Sequence, residues 1–546
     1  MAGKRAVGSL RSVTDAASDL DRAADAVGTA TSVLHGATRR LAAAGEIDDH
    51  QVLAYDLAHA AAAVENARAL LEYGARGATE ARITCAFVAD VVHDLSGKVA
   101  GREADWGVEP GAIDVHRDFL ADFRSPAFLA SIAGDDGPRH LDADFELVQD
   151  TFRRFAEDKI RPAAEHVHRT NADVPEEVIR GLAEMGGFGL SVPEEYGGFA
   201  AGGESDYMGM VVATEELSRG SLGIGGSLIT RPEILTRALV RGGTEGQKQE
   251  WLPRIASGEV MVAVAVTEPD YGSDVANLKA TATPADGGWV VNGVKTWCTF
   301  AARADVLMLL ARTDPDRSKA HRGLSLFVVR KPRGEGHGFD FTQDAGDDGA
   351  PGGGRMEGRA IDTIGYRGMH SYEIAFDSWW VPGDCLIGGD AGVGRGFYHQ
   401  MEGFENGRLQ TAARAVGVMQ AAYEAARQYA ADRVVFGRPI ADYELTKVKL
   451  ARMGVVIQGA RQFAYAVARM MAKGEGALEA SMVKAYVCKA AEWVTREAMQ
   501  IHGGMGYAEE FPVSRYFVDA RVLSIFEGAD ETLALRVIAR RLLERA

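Results

Sequence analysis

Cysteine is scarce in this 546-residue chain: Cys85, Cys298, Cys385 and Cys488 lie far apart and form no CxxC pair. That excludes zinc-ribbon and thioredoxin-type spacing and a disulfide framework, and points to a reducing compartment, the cytoplasm. Long apolar runs are missing as well. The stretch 260–266 stops at Thr267 and Glu268, far short of the roughly 18 residues a membrane span needs. The basic start, MAGKRAVGSLRS, leads into no apolar segment, so no secretory signal is expected. Positive charge is in deficit: 60 Lys and Arg face 77 Asp and Glu, a formal net charge of −17. A nucleic-acid or anionic-membrane surface needs clustered cations, so neither partner is expected. No tandem repeat is visible.

What is present is ordinary globular composition, 47% hydrophobic and 25% charged. At roughly 150 residues per domain, about three or four domains are expected. Residues 1–135 are Ala-rich with a helical period. Leu53, Leu57, Ala60, Val64, Ala67 and Leu71 share one face, and Val88, Val91, Val92 and Leu95 repeat it. Glycine-containing breaks at 74–77 and 97–101 predict helix ends, and 133–138 reads as a turn-rich linker. A second helical block spans 142–257, with Phe145, Val148, Phe152 and Phe155 on one stripe and helices around 208–219 and 232–241. From 258 to 390 the period becomes that of short strands, at 260–266, 289–293, 306–310, 324–329 and 373–376. Asn292-Gly293 predicts a hairpin turn there, and the Gly/Asp-rich stretch 333–359 a mobile inserted loop. The helical period returns over 391–546, with four long segments of bundle length. The fold class is therefore mainly α with a central β domain, a C-terminal four-helix bundle and an extra N-terminal helical domain.

Several short motifs stand in a fixed order. The first is Val266-Thr-Glu-Pro-Asp-Tyr-Gly-Ser-Asp-Val275, followed by Trp297-Cys-Thr299 and Asp432-Arg-Val-Val-Phe-Gly437. Gln500-Ile-His-Gly-Gly-Met-Gly506, Arg515-Tyr-Phe-Val-Asp-Ala520 and Ile525-Phe-Glu-Gly528 come last. Each alone is weak; their joint order and spacing within an α–β–α layout resembles the acyl-CoA dehydrogenase family of flavoenzymes. The resemblance runs from about residue 142 to the C-terminus and leaves out the first 135 or so residues.

That family removes two hydrogens across Cα–Cβ of a thioester. The reaction needs a base for the α-proton, donors for the developing enolate oxygen, and a hydride acceptor, which is FAD. Glu527 matches the base. Read alone, it would be a turn carboxylate before the helix near Asp530. A minority of the family carries the base on a preceding helix; counting from Arg433, that position is Gly407, which has no carboxylate, and Glu405 is out of register. Two residues after the base, Ala529 replaces the Thr common in relatives. The resemblance also assigns Thr267, Trp297 and Thr299 to the flavin ring and Ser273 to a place between flavin phosphate and substrate. Arg433, Phe436, Gln500 and Gly504 fall to the flavin's pyrophosphate and adenosine, bound mainly by a neighbouring subunit. It implies a homo-oligomer, a dimer if the N-terminal extension covers the second interface, and electron-transferring flavoprotein as acceptor.

Substrate choice turns on the wall before the Gly243-Thr-Glu-Gly-Gln-Lys248 turn. Counting back places Thr230 and Arg231 there. An unpaired buried cation is costly, so Arg231 invites a substrate with a carboxylate of its own, unless it points to solvent at a helix start. Glu405, Arg408 and Tyr372 are further candidates for the substrate wall, with His370 and Arg367 as added donors. The extension, the insertion and Gly365-Tyr-Arg-Gly-Met-His-Ser-Tyr372 narrow the resemblance to a branch that oxidises 2-methylsuccinyl-CoA to mesaconyl-CoA in the ethylmalonyl-CoA pathway. Other readings are a different short- or branched-chain acyl-CoA dehydrogenase, a flavin oxidase, or a DNA-associated protein on the same fold. No metal is expected.

Overall fold

The computed structural model describes residues 13–545, so the basic start lies outside the described residues. The chain is mainly α with a central β domain, and it divides into two compact units.

One unit joins residues 1–146 to residues 411–546. Its N-terminal part is three long helices, α1 (Val13–Ala44), α2 (Gln51–Gly74) and α3 (Ala78–Val99); α2 and α3 end at the predicted glycine breaks. Alanine sets their spacing. Ala54, Ala58 and Ala61 are buried, and small side chains let the helix axes approach. Where α3 meets the C-terminal helices, a Cβ on Gly459 would come within 2.5 Å of the Phe87 ring. The 133–138 stretch is tied down: Asp136 takes the Tyr423 hydroxyl at 2.7 Å and the Arg427 guanidinium at 2.6 Å.

The other unit is residues 147–410. It contains α4 (Glu204–Gly220), α5 (Thr230–Gly242) and α6 (Glu245–Ala256). Thr244 and Gln247 form a reciprocal capping box at the start of α6. Gln247 also donates to the carbonyls of Asp384 and Leu386 at 2.7 Å each. The sheet runs β1 (Val262–Ala265), β4 (Val306–Arg312), β2 (Thr281–Ala285), β3 (Gly288–Thr299), β8 (Ser371–Pro382), β7 (Gly354–Ile361) and β6 (Gly338–Gln343), with β5 (Leu324–Arg330) pairing β4. Strand β4 is buried end to end. Leu307, Leu309 and Ala311 enter one core, while Val306, Met308 and Leu310 enter another. A strand covered on both faces reads as a continuous apolar run.

Two expectations are corrected here. Asn292-Gly293 is not a turn; it lies inside β3, at a register irregularity opposite β8. Asn292 accepts the Ser378 N–H at 2.9 Å. Gly293 is required because a Cβ there would meet Ala280 at 2.7 Å. The hairpin turn lies instead at Asp286-Gly287, between β2 and β3. The 333–359 insertion is not a loop throughout, since its ends pair as the antiparallel hairpin β6–β7. Phe339, Phe341 and Met356 alternate with polar residues at period two, and the Gly/Asp content gathers at the tip.

The C-terminal helices are α7 (Gly396–Asp432), α8 (Glu444–Met471), α9 (Ala477–His502) and α10 (Pro512–Leu523), followed by helical turns from Asp530 to Glu544.

Candidate active site

In the unit of residues 147–410, a buried ion pair holds together the two segments that carry Thr267 and Trp297. Lys295, fully buried, donates to Glu268 at 2.9 Å and to the Val266 carbonyl at 3.0 Å. Glu268 also accepts the backbone N–H groups of Lys279 and Ala280, at 2.6 and 2.8 Å. Burial pushes the Lys295 ammonium down from its usual range, with the Glu268 carboxylate opposing. The Thr296 N–H meets the Thr267 carbonyl at 2.8 Å, so the two segments are locked side by side. Trp297 then sits at the second irregularity of β3, with φ +57° and its indole 55% exposed. A Trp is seldom left so bare without a flat partner. Thr299 is buried, its hydroxyl 3.1 Å from Ser371 Oγ. Ser273 is exposed on the loop after Thr267. Burial pushes the Cys298 thiol up to about 12, so it stays protonated.

The wall near Arg231 is built by α5 against the first turns of α7. A Cβ on Gly242 would meet His399, the Gly403 position meets Ile234, and Asn406 donates to Glu233 at 2.6 Å. Arg231 does not point to solvent: it is 6% exposed. Its Nη1, the Thr230, Thr214 and Thr236 hydroxyls and both amide atoms of Gln410 are buried without a hydrogen-bond partner among the described residues. Arg408 is buried and Glu405 half-buried on α7. Tyr372 and Arg367 have spent their donors elsewhere. The Tyr372 hydroxyl donates to the Gly336 carbonyl at 2.9 Å, and Arg367 donates to the His168 and Thr363 carbonyls.

His370 joins a different cluster. Asp173, His337 and His370 place possible metal-ligating atoms within 4.8 Å of one another. His370 Nε2 lies 3.1 Å from Asp173 Oδ1, and His337 Nε2 donates to the Asn171 carbonyl. Burial would raise the Asp173 carboxyl, but the His370 contact and nearby cations hold it below its usual value. Asp173 and the two imidazoles thus form a polar cluster at the root of β6.

In the other unit, Glu527 occupies a left-handed position, φ +54°, followed by Gly528 at φ +98°. Its side chain is 9% exposed. Arg414, fully buried on α7, approaches Glu527 Oε1 to 3.8 Å and stacks over the Phe526 ring at 4.6 Å. Buried Lys484 on α9 donates to the Gly528 carbonyl at 2.6 Å. Sequence reasoning missed Arg414, Lys484 and Lys295. Their trace in the sequence is a cation inside an apolar helix stripe or strand, which is rare unless the charge has a task.

Elsewhere on this unit, the β9–β10 hairpin (Val434–Val435, Arg438–Pro439) turns at Phe436-Gly437, both with positive φ. The Phe436 ring at its tip is 95% exposed. Arg433 and Gln500 are exposed and make no side-chain hydrogen bond or ion pair among the described residues. A Cβ at Gly504 would meet nothing within 4 Å, so the chain's own fold does not require glycine there. A flat exposed indole, uncommitted Arg and Gln donors and an unobstructed glycine backbone fit a large flavin nucleotide.

Comparison with known proteins agrees. Residues 142–259, 263–379 and 394–543 match the acyl-CoA dehydrogenase N-terminal, middle and C-terminal domain models. A (2S)-methylsuccinyl-CoA dehydrogenase of Cereibacter sphaeroides is 45% identical over 409 residues, 75% of this chain and 71% of that protein. A mitochondrial 2-methylacyl-CoA dehydrogenase of Solanum tuberosum is 34% identical over 77% of this chain and 93% of its own length. Among solved structures, a glutaryl-coenzyme A dehydrogenase in complex with glutaryl-CoA superposes with TM-score 0.66 at 29% identity, covering 74% of this chain and 97% of that one. A structure described for the electron transferring flavoprotein of Acidaminococcus fermentans superposes with TM-score 0.65 at 28% identity, covering 75% of this chain and 100% of that one. The chain belongs to the acyl-CoA dehydrogenase family: it is an FAD-dependent oxidoreductase. No helix among the described residues is long and apolar enough to cross a membrane.

Proposed function

We propose that the protein dehydrogenates (2S)-methylsuccinyl-CoA to mesaconyl-CoA, the step that belongs to the ethylmalonyl-CoA pathway. One observation carries the choice of substrate: Arg231 is buried and has no anionic partner among the described residues. An uncompensated buried guanidinium costs several kcal/mol. A thioester whose acyl group ends in a carboxylate would supply the counter-ion, and the orphaned Thr230 and Gln410 groups would supply further hydrogen bonds. The 45% identical relative, named for methylsuccinyl-CoA, and the structural neighbour holding glutaryl-CoA both support a dicarboxylic acyl group.

In this reading Glu527 takes the α-proton. Its left-handed backbone, fixed between Lys484 and Arg414, presents the carboxylate and leaves the Glu527 N–H to face the thioester carbonyl as negative charge develops on that oxygen. When bound, FAD supplies the hydride acceptor for Cβ. Thr267, Trp297, Thr299 and Ser273 would hold its ring end, and Arg433, Phe436, Gln500 and Gly504 its nucleotide end on a second copy of the chain. The bare Phe436 ring supports such a homo-oligomer, of which a dimer is the smallest form. Electron-transferring flavoprotein would reoxidise the flavin. The four cysteines are buried and form no disulfide among the described residues, which fits the cytoplasm. A dye-reduction assay across acyl-CoA thioesters tests the substrate. Methylsuccinyl-CoA should give the highest kcat/KM; faster turnover of butyryl-CoA or isobutyryl-CoA overturns the proposal.

A further inference from the structure

The family models begin at residue 142, yet two side chains from the helices before it reach the loop that carries Glu527. Tyr55 and His59 lie one turn apart on α2, their rings 4.5 Å apart. Both converge on a single oxygen. Asp530 Oδ2 accepts the Tyr55 hydroxyl at 2.5 Å and lies 3.2 Å from His59 Nε2. Lys489, on α9, stands 3.2 Å from the same oxygen, contacts the Tyr55 hydroxyl and sits over the Tyr55 ring. Asp530 is 7% exposed and three residues beyond Glu527. Its backbone N–H closes the loop on the Ser524 carbonyl at 3.1 Å, and Ser524 Oγ donates to Glu492 on α9.

The loop needs such anchors. A non-glycine residue in the left-handed region is strained and persists only where its surroundings over-determine it. Lys484 holds the middle of the loop through the Gly528 carbonyl, whereas its far end depends on Asp530. Of the three side chains on that carboxylate, α2 supplies two. We propose that Tyr55 and His59 are positioning residues for the base: they fix Asp530, and through it the backbone of Glu527. The N-terminal helices thus act on proton abstraction as well as on packing. This rests on Glu527 being the base.

The test uses the full-length FAD-loaded enzyme carrying Tyr55→Phe, His59→Leu or both, with His59→Gln as the conservative variant and Arg82→Ala, elsewhere in the extension, as control. Hydrogen exchange of the 524–530 amides should quicken in Tyr55→Phe and His59→Leu and stay as in wild type in Arg82→Ala. With FAD content unchanged, kcat should fall roughly ten- to a hundredfold, the scale of an ångström-sized misplacement, while KM stays within about twofold. The isotope effect from an α-deuterated substrate should grow, and His59→Gln should restore much of the loss. A lowered Tm with kcat, isotope effect and loop exchange as in wild type overturns the proposal. Should the double variant fail to fold, Tyr55→Phe, which loses one hydroxyl, decides. The readouts separate the two readings. Quickened loop exchange together with undiminished turnover in Glu527→Gln would refute Glu527 as the base while leaving the tether intact.

Discussion

The loop around Glu527 and the wall around Arg231 use buried polar groups in opposite ways. At the loop, the anchoring groups are spent on protein: Lys484 on a carbonyl, Asp530 on Tyr55, His59 and Lys489, Ser524 on Glu492. At the wall, Arg231 Nη1, Thr230 Oγ1 and the Gln410 amide are buried and unspent among the described residues. A base must be held before substrate arrives, because positioning it during the reaction would slow the reaction. A recognition wall must keep its hydrogen bonds in reserve, because a group already paired has little to offer a guest.

The largest effect expected from breaking this contrast is at Glu527, the proposed base. Glu527→Gln should lower kcat by about 10²–10⁴-fold, the range attributed to a general base, with FAD still bound, as read by dye reduction and flavin absorbance. Next comes the buried ion pair between the segments of Thr267 and Trp297. Lys295→Met leaves Glu268 buried without its counter-ion and should cost about 3–5 kcal/mol of stability, measured by urea unfolding; a loss below about 1 kcal/mol would remove the pair from any structural role.

Arg231→Ala sharpens the contrast. kcat/KM for methylsuccinyl-CoA should fall by the equivalent of about 2–5 kcal/mol, while a neutral thioester such as butyryl-CoA is oxidised at least as well as before. Equal losses on both would place Arg231 outside the acyl site.

The smallest effect is a pH dependence. Burial would raise the Asp530 carboxyl, but hydrogen bonds from His59 and Tyr55 and the Lys489 charge hold it well below the ordinary carboxylate value of 3.8. A depressed carboxyl contributes stability that is present above the unfolded value and lost as pH falls below it. Asp530→Asn should therefore be clearly less stable than wild type at pH 7, and the gap should narrow steadily below about pH 4. A gap independent of pH would mean that the contacts do not depend on the charge.

Much of this molecule is legible in the chain. The glycine breaks after residues 74 and 99 end helices because the periodic apolar stripe stops there. The strands were visible wherever both faces are buried, as in β4. Hairpin β6–β7 was hidden because its Gly/Asp-rich tip outweighs a short alternation of Phe and Met. Asn292-Gly293 misled because the local preference for a turn was overridden by close packing against Ala280 and a bond to Ser378. The family was readable as ordered motifs. Arg414, Lys484, Lys295 and the Tyr55–His59–Asp530 contact were not, since the last joins residues 475 and 471 positions apart.

The sequence by itself determined the family, the need for FAD and the identity of the residue matched to the base, because those reside in short motifs whose order survives without coordinates. The tertiary structure decided that Arg231 is buried rather than solvated, that Tyr372 is committed to Gly336, and that helices outside the family's own span reach the loop that carries Glu527. Burial and long-range pairing are properties of how distant segments meet in space, and no local pattern of residues specifies them.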